Sequence, residues 1–217
     1  MRDLYHHQLD AVIDDLASMT RAVRVAIQGA TDALFSADAQ AAEEVIGGDA
    51  AIDRARDDIE ERTIELLALQ QPVAGDLRML VAALRMSAEL ERMGDLAEHV
   101  AKVARMRYPE RAVPAEMEET IRAMAAVAEE MVDIAATVVE TRDVETAASL
   151  EEKDERMDLL RRSIFQQLLS ETWTAGVEPA IDIALLGRYY ERIADHAVSM
   201  GRRVVYLVTG ENPAHVG

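Results

Sequence analysis

Glu89-Leu-Glu-Arg-Met-Gly-Asp-Leu-Ala-Glu-His99 and Tyr189-Tyr-Glu-Arg-Ile-Ala-Asp-His-Ala-Val-Ser199 carry one pattern, Glu-Arg-apolar-small-Asp, at an interval of 100 residues. In each copy the two acids are four positions apart, Glu91 with Asp95 and Glu191 with Asp195. That spacing stacks both side chains on one face of an α-helix. Like charges so placed cost an isolated helix roughly a few tenths of a kcal/mol. A chain that carries this cost twice has something with which to neutralise it.

Apolar residues extend the motif into a seam in both directions. Met79, Ala83, Met86, Leu90, Met93, Ala97, Val100 and Ala104 alternate spacings of four and three. Ile183, Leu186, Tyr190, Ile193, Ala197, Met200, Val204 and Leu207 do the same in the second copy. This is the periodicity of helices packed like coiled coils. The methionines in it read as core filler. A second apolar line, Leu77, Val81, Leu84 and Ala88, predicts that this helix is buried on two sides and lies centrally, beside its counterpart. The two-sided apolar character also predicts a homodimer.

The remaining sequence divides into helices at identifiable breaks. The first helix is predicted from about Asp3 to Leu34, and the second from an Asp38 cap to about Gln70. Pro72 biases Gln71 out of the helical region and turns the chain into a third helix, from about Ala74 to Met106. Tyr108 to Pro114 is a linker. The fourth helix starts near Pro114, a proline suited to a first turn, and stops near Thr141. An Asp143 cap opens the fifth, which ends near Thr172-Trp-Thr-Ala-Gly176. The sixth runs from Glu178-Pro179 to before Gly210, with Pro213 beyond it. Asp38 and Asp143, Asp49 and Asp154, and Asp53 and Asp158 each lie 105 positions apart. The expected fold is therefore all-α: two tandem three-helix bundles related by internal duplication, residues 1–108 and 109–217, with short loops making neighbours antiparallel.

Composition agrees and narrows the function. Aromatic residues make up 4% of the 217 residues, and Ala, Leu, Val, Met, Glu and Arg dominate. No cysteine is present, so disulfides and thiolate ligands are excluded, and a reducing cytoplasm is suited. The N-terminus has no apolar signal-peptide region, and no run is long enough to span a bilayer. A net charge of −18 argues against nucleic acid or an anionic membrane surface as the main partner. It favours cations or a basic patch on another protein.

The acids of the second and fifth helices complete the pattern. Residues that face one another in an antiparallel hairpin lie equally far from its turn. Asp49 then faces Asp95, and Asp53 faces Glu91, about a centre at Pro72. Asp154 faces Asp195, and Asp158 faces Glu191, about a centre within Trp173-Thr-Ala-Gly176. Each hairpin thus gathers four carboxylates at one level. Oxygen-only clusters suit hard cations such as Mg²⁺, Ca²⁺, Mn²⁺ or oxidised iron. The residues leave a second reading open, a solvated acidic face laced with ion pairs. Arg92 and Arg192 adjoin the acids for that purpose, though each points about 100° away from the preceding glutamate.

These residues carry a resemblance. The duplicated six-helix pattern, the stretch Leu69-Gln-Gln-Pro-Val-Ala-Gly-Asp-Leu-Arg78 and the two Glu-Arg-x-x-Asp motifs resemble the PhoU family of phosphate-uptake regulators over essentially the whole chain. The resemblance implies two three-helix bundles that bind iron or zinc clusters through acidic pairs, with manganese or magnesium as further candidates. It places the ligands at Asp49, Asp53, Glu91, Asp95, Asp154, Asp158, Glu191 and Asp195. It also implies a non-enzymatic role: negative regulation of the phosphate-starvation response through a sensor histidine kinase and the ATPase of a phosphate importer. The second copy lacks the Gln-Gln-Pro stretch, so its hairpin turn is placed less securely.

Other chemistries find less support. A ferritin-like di-iron site needs Glu-x-x-His, but Leu96 precedes His99 and Ile193 precedes His196 at that spacing. His99, four after Asp95, could extend the first site, although its counterpart is Ser199. His6, His7 and His215 read as solvated. No glycine-rich phosphate loop or nucleophile elbow is present. Lys102, Arg105, Arg107, Arg202 and Arg203 suit helix C-termini, with a docking patch as the alternative. Besides the regulatory adaptor, two readings remain: a metal-free helical scaffold and a metal-dependent hydrolase.

Overall fold

A computed structural model describes residues 2–210. Six helices follow in order: α1 (Arg2–Ser36), α2 (Ala39–Gln70), α3 (Ala74–Arg107), α4 (Glu118–Thr141), α5 (Val144–Leu168) and α6 (Val177–Thr209). The caps work as the sequence predicts. The Asp38 carboxylate accepts from the backbone N–H groups of Gln40 and Ala41. Asp143 accepts from the N–H of Glu145, at 3.0 Å, and from the Thr146 hydroxyl, at 2.6 Å. These bonds satisfy donors that a helix start leaves free. Gln71 leaves the right-handed helix before Pro72 in the left-handed region, with φ 46°. Gly210 closes α6 with φ 75°, and its N–H bonds the Tyr206 carbonyl; such a φ favours glycine.

Two boundaries differ from expectation. Pro114 does not open α4. It precedes a 3-10 turn, Ala115–Met117, and the α-helix starts at Glu118. Helix α5 stops at Leu168, short of Thr172, because the N–H groups of Ser170 and Trp173 turn back to the carbonyls of Gln167 and Ser170. His215 and Pro213 lie outside the described residues.

Within each repeat the three helices pack on one another, and α1 packs on α4 while α3 packs on α6. Arg107, at the end of α3, meets Glu178 and Asp182 at the start of α6, while Glu89 meets His196 and Arg203 farther along it. The two central helices are therefore antiparallel, and an approximate twofold exchanges the repeats. One continuous core runs through both, including Leu16, Met19, Met86, Leu90, Met93, Met131 and Tyr190. The seam methionines Met79, Met86, Met93 and Met200 are core residues, as expected.

The second apolar line of α3 is not buried within the chain. Leu77 and Val81 are 42% and 36% exposed, and Ala88 is exposed as well. Helix α3 is central for a different reason: its buried arc is wide enough for α1, α2 and α6 together. Small residues widen it. Ser87, Gly94 and Ala101 on α3, and Gly187, Ala194 and Gly201 on α6, are all buried at spacings of seven. A methyl at Gly94 would lie 3.1 Å from Ile52 of α2; one at Gly201 would lie 2.6 Å from Leu150 and 3.2 Å from the Ala147 carbonyl of α5. Side chains there would push α2 and α5 away. The close approach is what brings their acids beside the motif.

Candidate acidic metal sites

Helix α2 seats Asp49 against the Gly94 gap, with its Oδ1 3.2 Å from where a Gly94 methyl would stand. Asp49 is half-buried. Burial pushes its carboxyl up to about 6, and the charges of Asp53, Glu98 and Asp95 push the same way, against Lys102. Asp53 and Asp95 are thus beside Asp49, as the hairpin register predicts. Glu98 joins them and escaped the sequence reading. Its place seven after Glu91 on the same helical face was the available signal. Glu91 is turned to Arg92, 3.5 Å away, and the same arginine holds Asp95 at 3.2 Å.

The second repeat gathers the same way. Burial raises the Asp154 carboxyl, aided by Asp195, Asp158 and Glu191 and opposed by Arg202. The charges of the other three acids of this quartet therefore all act on Asp154. Glu191 is buried and held by Arg161, at 3.1 Å, and by Arg188. Arg162 lies 3.7 Å from Asp158. Asp53 and Asp195 are exposed, and neither has an ion pair among the described residues.

Both readings of the quartets therefore have structural content. The donors are all carboxylate oxygens, and Asp49 and Asp154 sit where repulsion and burial disfavour their charge. Arginines meanwhile cover Glu91, Asp95, Asp158 and Glu191. Among the described residues no three His, Asp or Glu side chains are already drawn together around an ion position. His99 does not extend the first site. Its Nδ1 lies 2.5 Å from the carbonyl of Asp95, and its ring leans on Tyr189 of α6 at 5.4 Å, away from α2. His6 and His7 are exposed, as expected. The basic residues at the helix ends form no single patch, because α3 and α6 end at opposite ends of the molecule. Each meets a carboxylate instead: Lys102 with Glu98, Arg105 with Glu43, Arg107 with Asp182, Arg202 with Glu151, Arg203 with Glu89.

The raised Asp49 carboxyl predicts a pH dependence in protein freed of metal. Its folded value, about 6, lies above the unfolded one, so its protonated form favours the fold. That contribution is complete below about pH 4 and is lost as pH rises through about 6. Asp49→Asn is therefore expected to stabilise the chelator-treated protein at pH 7.5 by about 1 kcal/mol, after discounting for solvent screening, with no gain at pH 4. Urea unfolding at both pH values checks this. An equal effect at the two would show that the carboxylate is not strained.

Comparison with known proteins adds four findings. A family model described as the PhoU domain matches residues 16–104 and again 121–204. The chain is 45% identical over 213 residues to a Mycobacterium leprae protein described as "Phosphate-specific transport system accessory protein PhoU homolog 1", covering 98% of this chain and 96% of that one. Its fold is similar to the crystal structure of PhoU from Pseudomonas aeruginosa, with TM-score 0.89 and 27% identity over 95% of this chain and 100% of that one. It is also similar to the phosphate transport system regulatory protein PhoU from Streptococcus pneumoniae, with TM-score 0.87 and 25% identity over 96% and 98% of the two chains.

Proposed function

The chain belongs to the PhoU family, and from that premise we propose that it is an accessory regulator of phosphate transport that lowers phosphate uptake when phosphate is plentiful. The observation that carries this reading is the near-complete match, over both repeats, to a relative described as an accessory protein of phosphate-specific transport. In the finer form of the proposal it acts non-enzymatically in the cytoplasm, as an adaptor between the importer ATPase and a sensor histidine kinase. No helix among the described residues is long and apolar enough to cross a membrane. The exposed apolar positions support an adaptor. Leu77 and Val81 at the start of α3 recur as Val177 and Ile181 at the start of α6, at opposite ends of the antiparallel pair. An adaptor needs two separate surfaces, and such positions are where a partner or a second copy of the chain gains apolar burial.

The two quartets enter this proposal as cation sites. Asp49, Asp53 and Asp95, with Glu98 and Glu91 in reach along the helix, would hold one ion; Asp154, Asp158, Glu191 and Asp195 would hold the other. Iron, zinc, manganese and magnesium are the candidates. A bound cation would supply charge neutralisation, fixing the α2–α3 and α5–α6 spacing. The arginines on Glu91, Asp95, Asp158 and Glu191 must turn outward for the carboxylates to converge, which their exposure allows. Deletion of the gene is expected to de-repress phosphate-importer expression in phosphate-rich medium. A reporter fusion reads this out. Unchanged expression, with no second copy of the gene in the genome, would sink the regulatory role.

A further inference from the structure

The outer groove where α3 crosses α6 holds a cleft of about 360 Å³, lined by Arg92, Asp95, Leu96 and His99 of α3 and by Arg188, Tyr189, Arg192 and His196 of α6. Three guanidinium groups and two imidazoles surround one carboxylate, in a chain whose net charge is −18. The larger cleft between α1 and α2 shows the opposite balance: Asp15, Asp58, Glu61 and Glu65 line it with Arg62. We propose that the α3–α6 cleft binds a small tetrahedral oxyanion, held between the two repeats by Arg92, Arg192 and Arg188.

Several features fit such a ligand. Arg92 and Arg192 are equivalent in the two motifs, so the approximate twofold sets one guanidinium from each repeat at the cleft. A tetrahedral oxyanion presents two pairs of oxygens and matches that arrangement, because a guanidinium fork binds oxygens in pairs. Among the described residues Arg192 has no ion-pair partner. Arg92 engages Glu91 and Asp95, and Arg188 engages Glu191, but a guanidinium has five N–H donors, and the one or two ion-pair contacts of each leave some of them free. Leu96 is buried, and the tilted His99–Tyr189 ring pair flanks the cleft. His196 gives its Nδ1 to Glu89 at 2.7 Å, while its buried Nε2 has no hydrogen-bond partner. The overall negative charge does not decide the matter. At physiological salt, exposed charges beyond about 8 Å are largely screened, so the adjacent guanidinium groups dominate.

The choice of phosphate as probe rests on the transport reading above; the cleft itself does not. Inorganic phosphate is titrated into the full chain at constant pH and at ionic strength balanced with chloride. The ring C–H resonances of His99 and His196 are followed. Saturable shifts of both are expected, with binding about tenfold weaker in Arg192→Gln and weaker again in the Arg92→Gln/Arg192→Gln double variant. Arg54→Gln, an exposed change on α2, should bind as the parent does. Circular dichroism confirms that each variant is folded. Sulfate competing for the same shifts also supports the proposal. A linear, non-saturating response overturns it, as does equal binding by the double variant, or a response to phosphoserine peptide without one to inorganic phosphate. The regulatory role stands or falls separately, on the reporter in cells.

Discussion

Tyr190→Ala is expected to lower the unfolding free energy by about 3–5 kcal/mol, the cost of deleting a large buried ring and leaving a cavity. Tyr190 is among the largest fully buried side chains, and its hydroxyl reaches Thr31 on α1 of the other repeat. Its hydroxyl lies 2.9 Å from that of Thr31, which in turn donates to the Ile27 carbonyl at 2.8 Å. With the threonine proton so used, Tyr190 must donate. Burial pushes its phenol well above the usual range, so it keeps that proton at any working pH. Tyr190→Phe removes the donor but keeps the ring, and about 1 kcal/mol is expected. A domain's whole stability is about 5–15 kcal/mol, so the alanine variant should lose a large share of it. For a chain of this size that corresponds to about 6–20 °C in Tm. Urea unfolding of the three proteins decides it. An alanine variant within about 1 kcal/mol of the parent would mean that the repeats do not depend on this contact.

The contrast between Tyr190 and the exposed apolar line shows what the sequence conveys. Period and caps are local, so the seam of α3 and α6, the capping role of Asp38 and Asp143, and the duplication were all legible. The hairpin register was legible in part: the charges of Asp53 and Asp95 act on Asp49, and those of Asp158, Glu191 and Asp195 on Asp154, whereas Glu91 turns to Arg92. Which flank of a two-sided helix is covered depends on where the other repeat docks, and no local pattern encodes that. Leu77 and Val81 looked buried for this reason, while the small residues Ser87, Gly94 and Ala101 carried the true second face. The contacts between repeats were equally hidden. Glu89 bonding to His196 and Arg203, and Arg107 closing on the buried Asp182, join positions more than 70 residues apart with no shared motif. The paired Arg92 and Arg192 were visible as adjuncts of the acids. Their common cleft appears only when the antiparallel crossing brings the two copies face to face.

Metal dependence is the sharpest division between the adaptor with loaded quartets and a metal-free scaffold. A cation that binds only the folded chain stabilises it by RT ln(1 + [L]/Kd), about 2.7 kcal/mol at a hundredfold excess over Kd. In a chain of this length that is about 5–10 °C of Tm. Chelator is therefore expected to lower the melting temperature, and added Mn²⁺, Fe³⁺ or Zn²⁺ to restore it. Asp49 and Asp154 are the acids to replace. Each lies at the centre of its group, each is raised by burial and by neighbouring carboxylates, and neither is held in an arginine ion pair. Asp49→Asn with Asp154→Asn should abolish the response to metal and leave the chelated protein as stable or more so, because both changes relieve repulsion. Asp95→Asn with Asp195→Asn should weaken the response without unfolding the protein, and it also releases Arg92 from Asp95. Elemental analysis of protein purified without chelator accompanies the melting curves. Metal-free protein whose melting point ignores chelator and metal alike would leave the arginines on Glu91, Asp95, Asp158 and Glu191 as the full answer to the acidic motif. The quartets would then be ion-paired surfaces of a scaffold.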